Sequence, residues 1–192
     1  MSGVRRIAIS GGPGAGKTTL WRALIAAHPE RVLAVPEVAT LMLEHVFPSV
    51  ETEHERSAVQ RAIFSVQHNL ERFYEARARP GQVLLCDRGT PDGGGYWPQG
   101  HEAFFEAMST EWHDELARYD TVLFLETAAA RGLSIAEGNA IRNEDLAAAC
   151  AIDRRLYDVW SAHPSFAFIS CEADFSAKIS NALRALVAAI DG

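Results

Sequence analysis

The residues from Gly11 to Thr18 read GGPGAGKT: a glycine, four residues, then Gly16, Lys17 and a hydroxyl residue, Thr18. This is the spacing of a loop that cradles nucleotide phosphates. Glycine lets the backbone take positive φ and bring N–H groups close to phosphate oxygens, which a Cβ would hinder. Lys17 offers a compact, flexible cation to the β and γ phosphates, and Thr18 offers a hydroxyl oxygen to Mg²⁺. The candidate nucleotide-binding residues are therefore Gly12, Pro13, Gly14, Ala15, Gly16, Lys17, Thr18 and Thr19. Composition adds weight, because the chain holds sixteen arginines and only two lysines, Lys17 and Lys178. Lys17 thus stands where a compact point charge suits phosphate better than a planar fork.

Such a loop needs a strand before it and a helix after it. The run from Val4 to Ser10 supplies the strand, with Ile7, Ala8 and Ile9 contiguous and apolar. Leu20, Trp21, Leu24 and Ile25 recur at helical spacing until His28-Pro29. Four further apolar runs read as strands: Val32–Val35, Gln82–Asp87, Thr121–Glu126 and Ser165–Ser170. Between them, Val59, Ile63, Val66, Leu70 and Phe73 mark one buried face of a helix within 51–79. Leu146, Cys150, Asp153, Leu156, Tyr157 and Trp160 lie along one side of another, capped by Asn143. Phe175, Ile179, Leu183, Leu186 and Ile190 face inward from the last helix. The stretch from Arg88 to Gly100, rich in glycine and proline, reads as a functional loop without regular structure.

Strands alternating with helices predict an α/β fold, one domain over residues 1–192, with a five-stranded parallel sheet covered by helices on both faces. Ligands of such sheets bind beyond the carboxyl ends of the strands. Gly11–Thr18, Glu37, Asp87 with Arg88, and Glu126 should therefore gather at one edge.

The 48% hydrophobic and 22% charged composition is that of a globular protein, and a net charge of −7 argues against nucleic acid or anionic membrane as a partner. Cys86, Cys150 and Cys171 suggest neither disulfides nor a thiolate metal site, so a reducing cytoplasm is expected. Neither a leader nor an apolar run of membrane-spanning length is visible. The seven histidines form no spaced metal pair and are assigned no chemistry.

With GGPGAGKT, PEVAT after the second strand, CDRG after the third and GNAIRNED before a late helix, the chain resembles the P-loop nucleoside and nucleotide kinases. It looks most like a group of small single-domain AAA-type ATPases similar to ribosylnicotinamide kinase. The resemblance spans essentially the whole chain. It implies a sheet order of 2-3-1-4-5, a lid over about residues 127–143, and ATP with Mg²⁺ as phosphoryl donor. By analogy Glu37 is the general base, Asp87 joins Thr18 at the metal, Arg88 meets the transferred phosphate or the acceptor, and Arg142 reaches over the donor phosphates from the lid. Arg131 is a weaker lid candidate. The acceptor should sit between the early helices and the loop after the third strand. Phe47, Phe64, Tyr96 and Trp97 are candidates to stack on it, and Gln60 and Gln67 to pair with its edge.

The expected function is transfer of the γ phosphate to a nucleoside, a nucleotide or a related metabolite. A nucleotide-dependent switch without a small-molecule acceptor, or a kinase acting on an antibiotic or other secondary metabolite, remains open. So does pairing with a second copy of the chain.

Overall fold

Alternation along each strand decides which helices it buries. β1 (Arg6–Ser10), β2 (Val32–Val35), β3 (Val83–Asp87), β4 (Thr121–Leu125) and β5 (Phe166–Ile169) form one sheet in the order β2-β3-β1-β4-β5, and every pairing is parallel. The computed structural model describes residues 4–47, 49–132, 146–171 and 174–191. All five residues of β3 are buried, as the centre of a sheet covered on both faces requires, while the edge strand β5 is only partly covered.

Even positions of β1 and β3, such as Ala8, Leu84 and Cys86, pack with Phe104, Leu156, Val159 and Trp160. Odd positions, such as Ile7, Ile9 and Leu85, pack with Leu20, Leu24, Leu186 and Ile190. The two-residue period of a strand thus divides the interior into two cores, one per face. α1 (Lys17–Ala27) and α8 (Phe175–Asp191) cover one face. The other carries α3 (Glu53–Glu75), α4 (Gly93–Tyr96), α5 (His101–Met108), α6 (Trp112–Leu116) and α7 (Leu146–Trp160). α2 (Val38–His45) joins β2 to α3. Thr52 and Glu55 start α3 with reciprocal bonds, Glu55 N–H to Thr52 Oγ1 at 3.2 Å and Thr52 N–H to Glu55 Oε2 at 2.8 Å.

Several sequence expectations are corrected. The part of the 88–100 segment from Thr90 to Tyr96 is regular, with a 3₁₀ turn at Thr90–Asp92 followed by α4. Its glycines serve packing: a Cβ on Gly95 would lie 2.5 Å from Leu156 Cδ2, and one on Gly93 would strike the Phe104 ring. On α3, Val66 and Phe73 are exposed, whereas Gln67 and Glu71 are buried. The inward stripe is displaced because polar partners await those two residues. On α7, Tyr157 is largely exposed and Val159 takes the inner position. Phe175 does not face the core; it is 51% exposed, and its ring borders Gly16. Asn143 lies outside the described residues.

Among the described residues no helix is long and apolar enough to cross a membrane.

Candidate functional site

Gly11, Gly14 and Gly16 hold φ of 133°, 71° and 89°, the left-handed geometry that folds a phosphate loop back on itself. At Gly11 a Cβ would also collide with the Leu125 carbonyl, so the glycine serves close approach to β4 as well as the turn. Lys17 is the first residue of α1, and its Nζ donates to the carbonyls of Gly11 and Gly12, both at 2.8 Å. The ammonium therefore lies over the loop it closes. Thr18 and Thr19 are exposed in the first turn.

Three side chains that sequence reasoning left unassigned grip this loop from behind. Asp153 of α7 accepts from Gly12 N–H at 2.6 Å. The Thr127 hydroxyl donates to the Pro13 carbonyl. Lys178 of α8 is 1% exposed and donates to the carbonyls of Ala15 at 2.7 Å and Glu126 at 2.5 Å. Burial pushes the Lys178 ammonium below the ordinary lysine range and the Asp153 carboxyl above the ordinary aspartate range, the latter opposed by the Gly12 N–H. Both lysines of the chain thus serve one loop. The scarcity of lysine marked Lys178 as much as Lys17.

Ile9 pairs with Asp87 in register, so the end of β3 lies level with the start of the loop. Asp87 is 4% exposed, and its Oδ1 has no hydrogen-bond partner among the described residues. Burial and the nearby Glu37 raise its pKa to about 6, against the pull of Lys17 and Arg88. Arg88 follows with φ of 75°, a conformation that costs a non-glycine residue about 1–2 kcal/mol. In return its side chain meets two acids at once: Nε donates to Glu37 Oε1 at 2.6 Å and Nη1 to Asp92 Oδ1 at 2.9 Å. Nη1 also lies 3.4 Å from the Gly11 carbonyl, while Nη2 is buried without a partner among the described residues. Glu37 precedes α2, and its Oε2 accepts from the Thr40 hydroxyl at 2.6 Å. Asp92 also accepts from Ser10 Oγ at 2.7 Å, Gly89 N–H at 3.0 Å and Trp160 Nε1 at 3.0 Å. It was missed in the sequence, where only its four-residue spacing from Arg88 hinted at a pair.

The loop, Glu37, Asp87, Arg88 and Glu126 lie at one sheet edge as expected, the Glu126 carbonyl sharing Lys178 with that of Ala15, but the Glu126 side chain turns away from the loop. Glu126 Oε2 accepts from Cys171 N–H at 2.7 Å and so ties β4 to the end of β5. Arg131 is exposed at the end of a 3₁₀ turn, Ala128–Arg131, whose Ala129 is buried. Residues 133–143 of the expected lid, Arg142 among them, lie outside the described residues.

A cavity of about 270 Å³ opens beside Arg88, between α2, α3 and α4. Val38, Leu43, Val59, Ile63 and Phe64 supply apolar walls. Gln60, Gln67, Arg88 and Asp92 supply the polar ones. Tyr96 also lines it, with its ring centroid 5.4 Å from Arg88 Cζ. Trp97 does not: it is buried against Phe104, a correction to its expected stacking role. Phe47 is likewise absent from the lining. The histidines assigned no chemistry have structural partners where bonds are seen, His163 Nε2 with the Tyr119 carbonyl at 2.8 Å and His68 with Arg118 at 2.7 Å.

The residues suit a hard divalent cation. Mg²⁺ takes one or two protein oxygens and fills its octahedron with phosphate and water, so a buried, unpartnered carboxylate oxygen beside a phosphate loop is an apt ligand. Among the described residues no cluster of three or more His, Cys, Asp or Glu could hold a metal by itself.

A search of curated proteins gave no match. A family model described as an AAA domain matches residues 6–178, a span that includes the phosphate loop, Glu37, Asp87, Arg88 and Lys178. With its fold and nucleotide loop in accord with that match, the chain belongs to this AAA-domain family of P-loop NTPases.

Proposed function

We propose that the protein is an ATP-dependent small-molecule kinase, with the cavity beside Arg88 as the acceptor site. The observation that carries this reading is the position of that cavity. It is preformed, largely apolar, and floored by the arginine that also reaches the phosphate loop. A hydrolytic switch needs only water at that place, whereas a kinase must hold an acceptor there and exclude water.

Lys17 would leave the Gly11 and Gly12 carbonyls for the β and γ phosphates. Asp87 and Thr18 would hold Mg²⁺, which when bound would neutralise phosphate charge as it develops. The acceptor hydroxyl gives its proton to a Glu37 carboxylate oxygen as its own oxygen bonds to the γ phosphorus, and ADP leaves with the electrons of the broken P–O bond. Arg88 holds Glu37 in place, and its remaining Nη2 hydrogens suit the phosphoryl oxygens. Arg142 is proposed to cover the donor phosphates.

The acceptor class most in keeping with the walls is a nucleoside, a nucleotide or a related metabolite, including ribosylnicotinamide. A polycationic antibiotic is disfavoured, because Arg56 and Arg88 are the cations of the lining and its one acid, Asp92, is already saturated by four donors. The test is ADP release with a panel of nucleosides, nucleoside monophosphates, ribosylnicotinamide and aminoglycosides. Turnover stimulated by one of these and abolished by Asp87→Asn is expected. Equal turnover with and without every acceptor would refute the kinase and leave a slow nucleotide hydrolase.

A further inference from the structure

A non-glycine residue stays in the left-handed region only where its surroundings over-determine it, and Arg88 has φ of 75°. Four bonds fix the backbone around it. Its N–H donates to the Ile9 carbonyl at 3.0 Å, and Gly89 N–H donates to Asp92 Oδ2 at 3.0 Å. Its carbonyl accepts from Gln67 Nε2 at 3.3 Å, and Thr90 N–H donates to the Tyr119 hydroxyl oxygen at 2.8 Å. The last two bonds converge on one group. Glu71 of α3, fully buried and outside the cavity lining, accepts through Oε1 from both Gln67 Nε2 at 2.8 Å and the Tyr119 hydroxyl at 2.6 Å. Its Oε2 accepts from Arg118 Nη2 at 2.6 Å.

We propose that Glu71 is a positioning residue for Arg88. A carboxylate receives both donors at once and can give none back. It therefore turns the Gln67 amide hydrogens toward itself and the Arg88 carbonyl. It also takes the Tyr119 hydrogen, leaving a phenol lone pair for Thr90 N–H. The chain on either side of Gly89 is tied to one buried anion, and the guanidinium is delivered to Glu37 and Asp92 with Nη2 to spare. A glutamine at position 71 has one carbonyl oxygen for three donors: it either turns its amide hydrogens onto Gln67 and Tyr119 or faces them at the Arg118 guanidinium, and both orientations loosen the arrangement at unchanged size. The inference rests on the reading of Arg88 as the phosphate-facing arginine.

The test uses Glu71→Gln and Tyr119→Phe in the full chain, labelled with ¹⁵N-arginine, with Arg88→Lys to assign the Arg88 Nε–H signal. The native protein should show that signal sharp and slow to exchange, as expected for a buried donor to Glu37. Each variant should broaden or lose it and lower acceptor-stimulated kcat roughly 10–100-fold, with KM for ATP changed by no more than about twofold. Should one variant fail to fold, the other gives the same two readings. An unaltered Arg88 signal in a folded variant overturns the proposal, whatever happens to kcat. A signal lost in the variants, while no acceptor stimulates even the native protein, supports the brace and removes the kinase reading instead.

Discussion

Asp87 keeps a buried carboxylate at the expense of the protein's stability, and Asp87→Asn measures that expense. The carboxyl moves from its ordinary 3.8 to about 6 on folding, chiefly through burial and then through Glu37. A raised value means that the native state holds the proton more tightly than the unfolded chain. The stabilisation is present below pH 3.8 and is lost as pH rises through 6. With these values the penalty on the native state is about 1 kcal/mol at pH 4.5 and about 3 kcal/mol at pH 7.5. Asparagine keeps the shape and cannot ionise. The difference in unfolding free energy between variant and native protein should therefore swing in the variant's favour by about 2 kcal/mol between those two pH values. Urea unfolding of both proteins without nucleotide or divalent ion gives this number, and titrating groups remote from Asp87 cancel in the difference. Added Mg²⁺ and ATP should reverse the order at pH 7.5, since only the carboxylate gains from the cation. Parallel stability curves for the two proteins from pH 4.5 to 7.5 would refute the reasoning, because Asp87 would then be equally easy to ionise folded and unfolded.

Glu37→Gln should lower acceptor-stimulated kcat roughly 10²–10⁴-fold while ATP affinity measured by calorimetry stays within a few-fold, and unchanged turnover would remove Glu37 as the base. Lys178→Met strips two carbonyls of a buried donor and should destabilise the protein by about 1–3 kcal/mol, with ATP affinity falling as the loop slackens. Unfolding curves and nucleotide titration read the two effects separately. Gly95→Ala puts a methyl 2.5 Å from Leu156 and should cost about 1–3 kcal/mol, seen as a lower Tm, although the residue touches no proposed ligand.

The phosphate loop was legible because its job is local. Strand, glycines, lysine and helix are contiguous, and each answers to a backbone or charge requirement of its own neighbourhood. Asp87 and Arg88 were legible for a related reason, being the first polar residues after an apolar strand. Asp92, Asp153 and Glu71 were not, because each works on a partner far away in the chain or inside a segment that reads as loose. Periodicity also misplaced the inner face of α3. Val66 and Phe73 look like core, yet Gln67 and Glu71 are the buried residues because the fold supplies Arg118, Tyr119 and the Arg88 carbonyl to meet them. Apolar pattern counts what water rejects and is blind to polar groups that find partners elsewhere.

By itself, the sequence determined the alternation of strand and helix, the parallel sheet and the donor-phosphate loop, since these follow from spacing and residue type over short stretches. Only the tertiary structure decided that three glycines after Asp92 make a tightly packed helix, that Arg88 bridges Glu37 and Asp92, and that a cavity lies beside it. Those depend on which distant elements the sheet brings within a few ångströms, and close packing and burial act only once those elements have met.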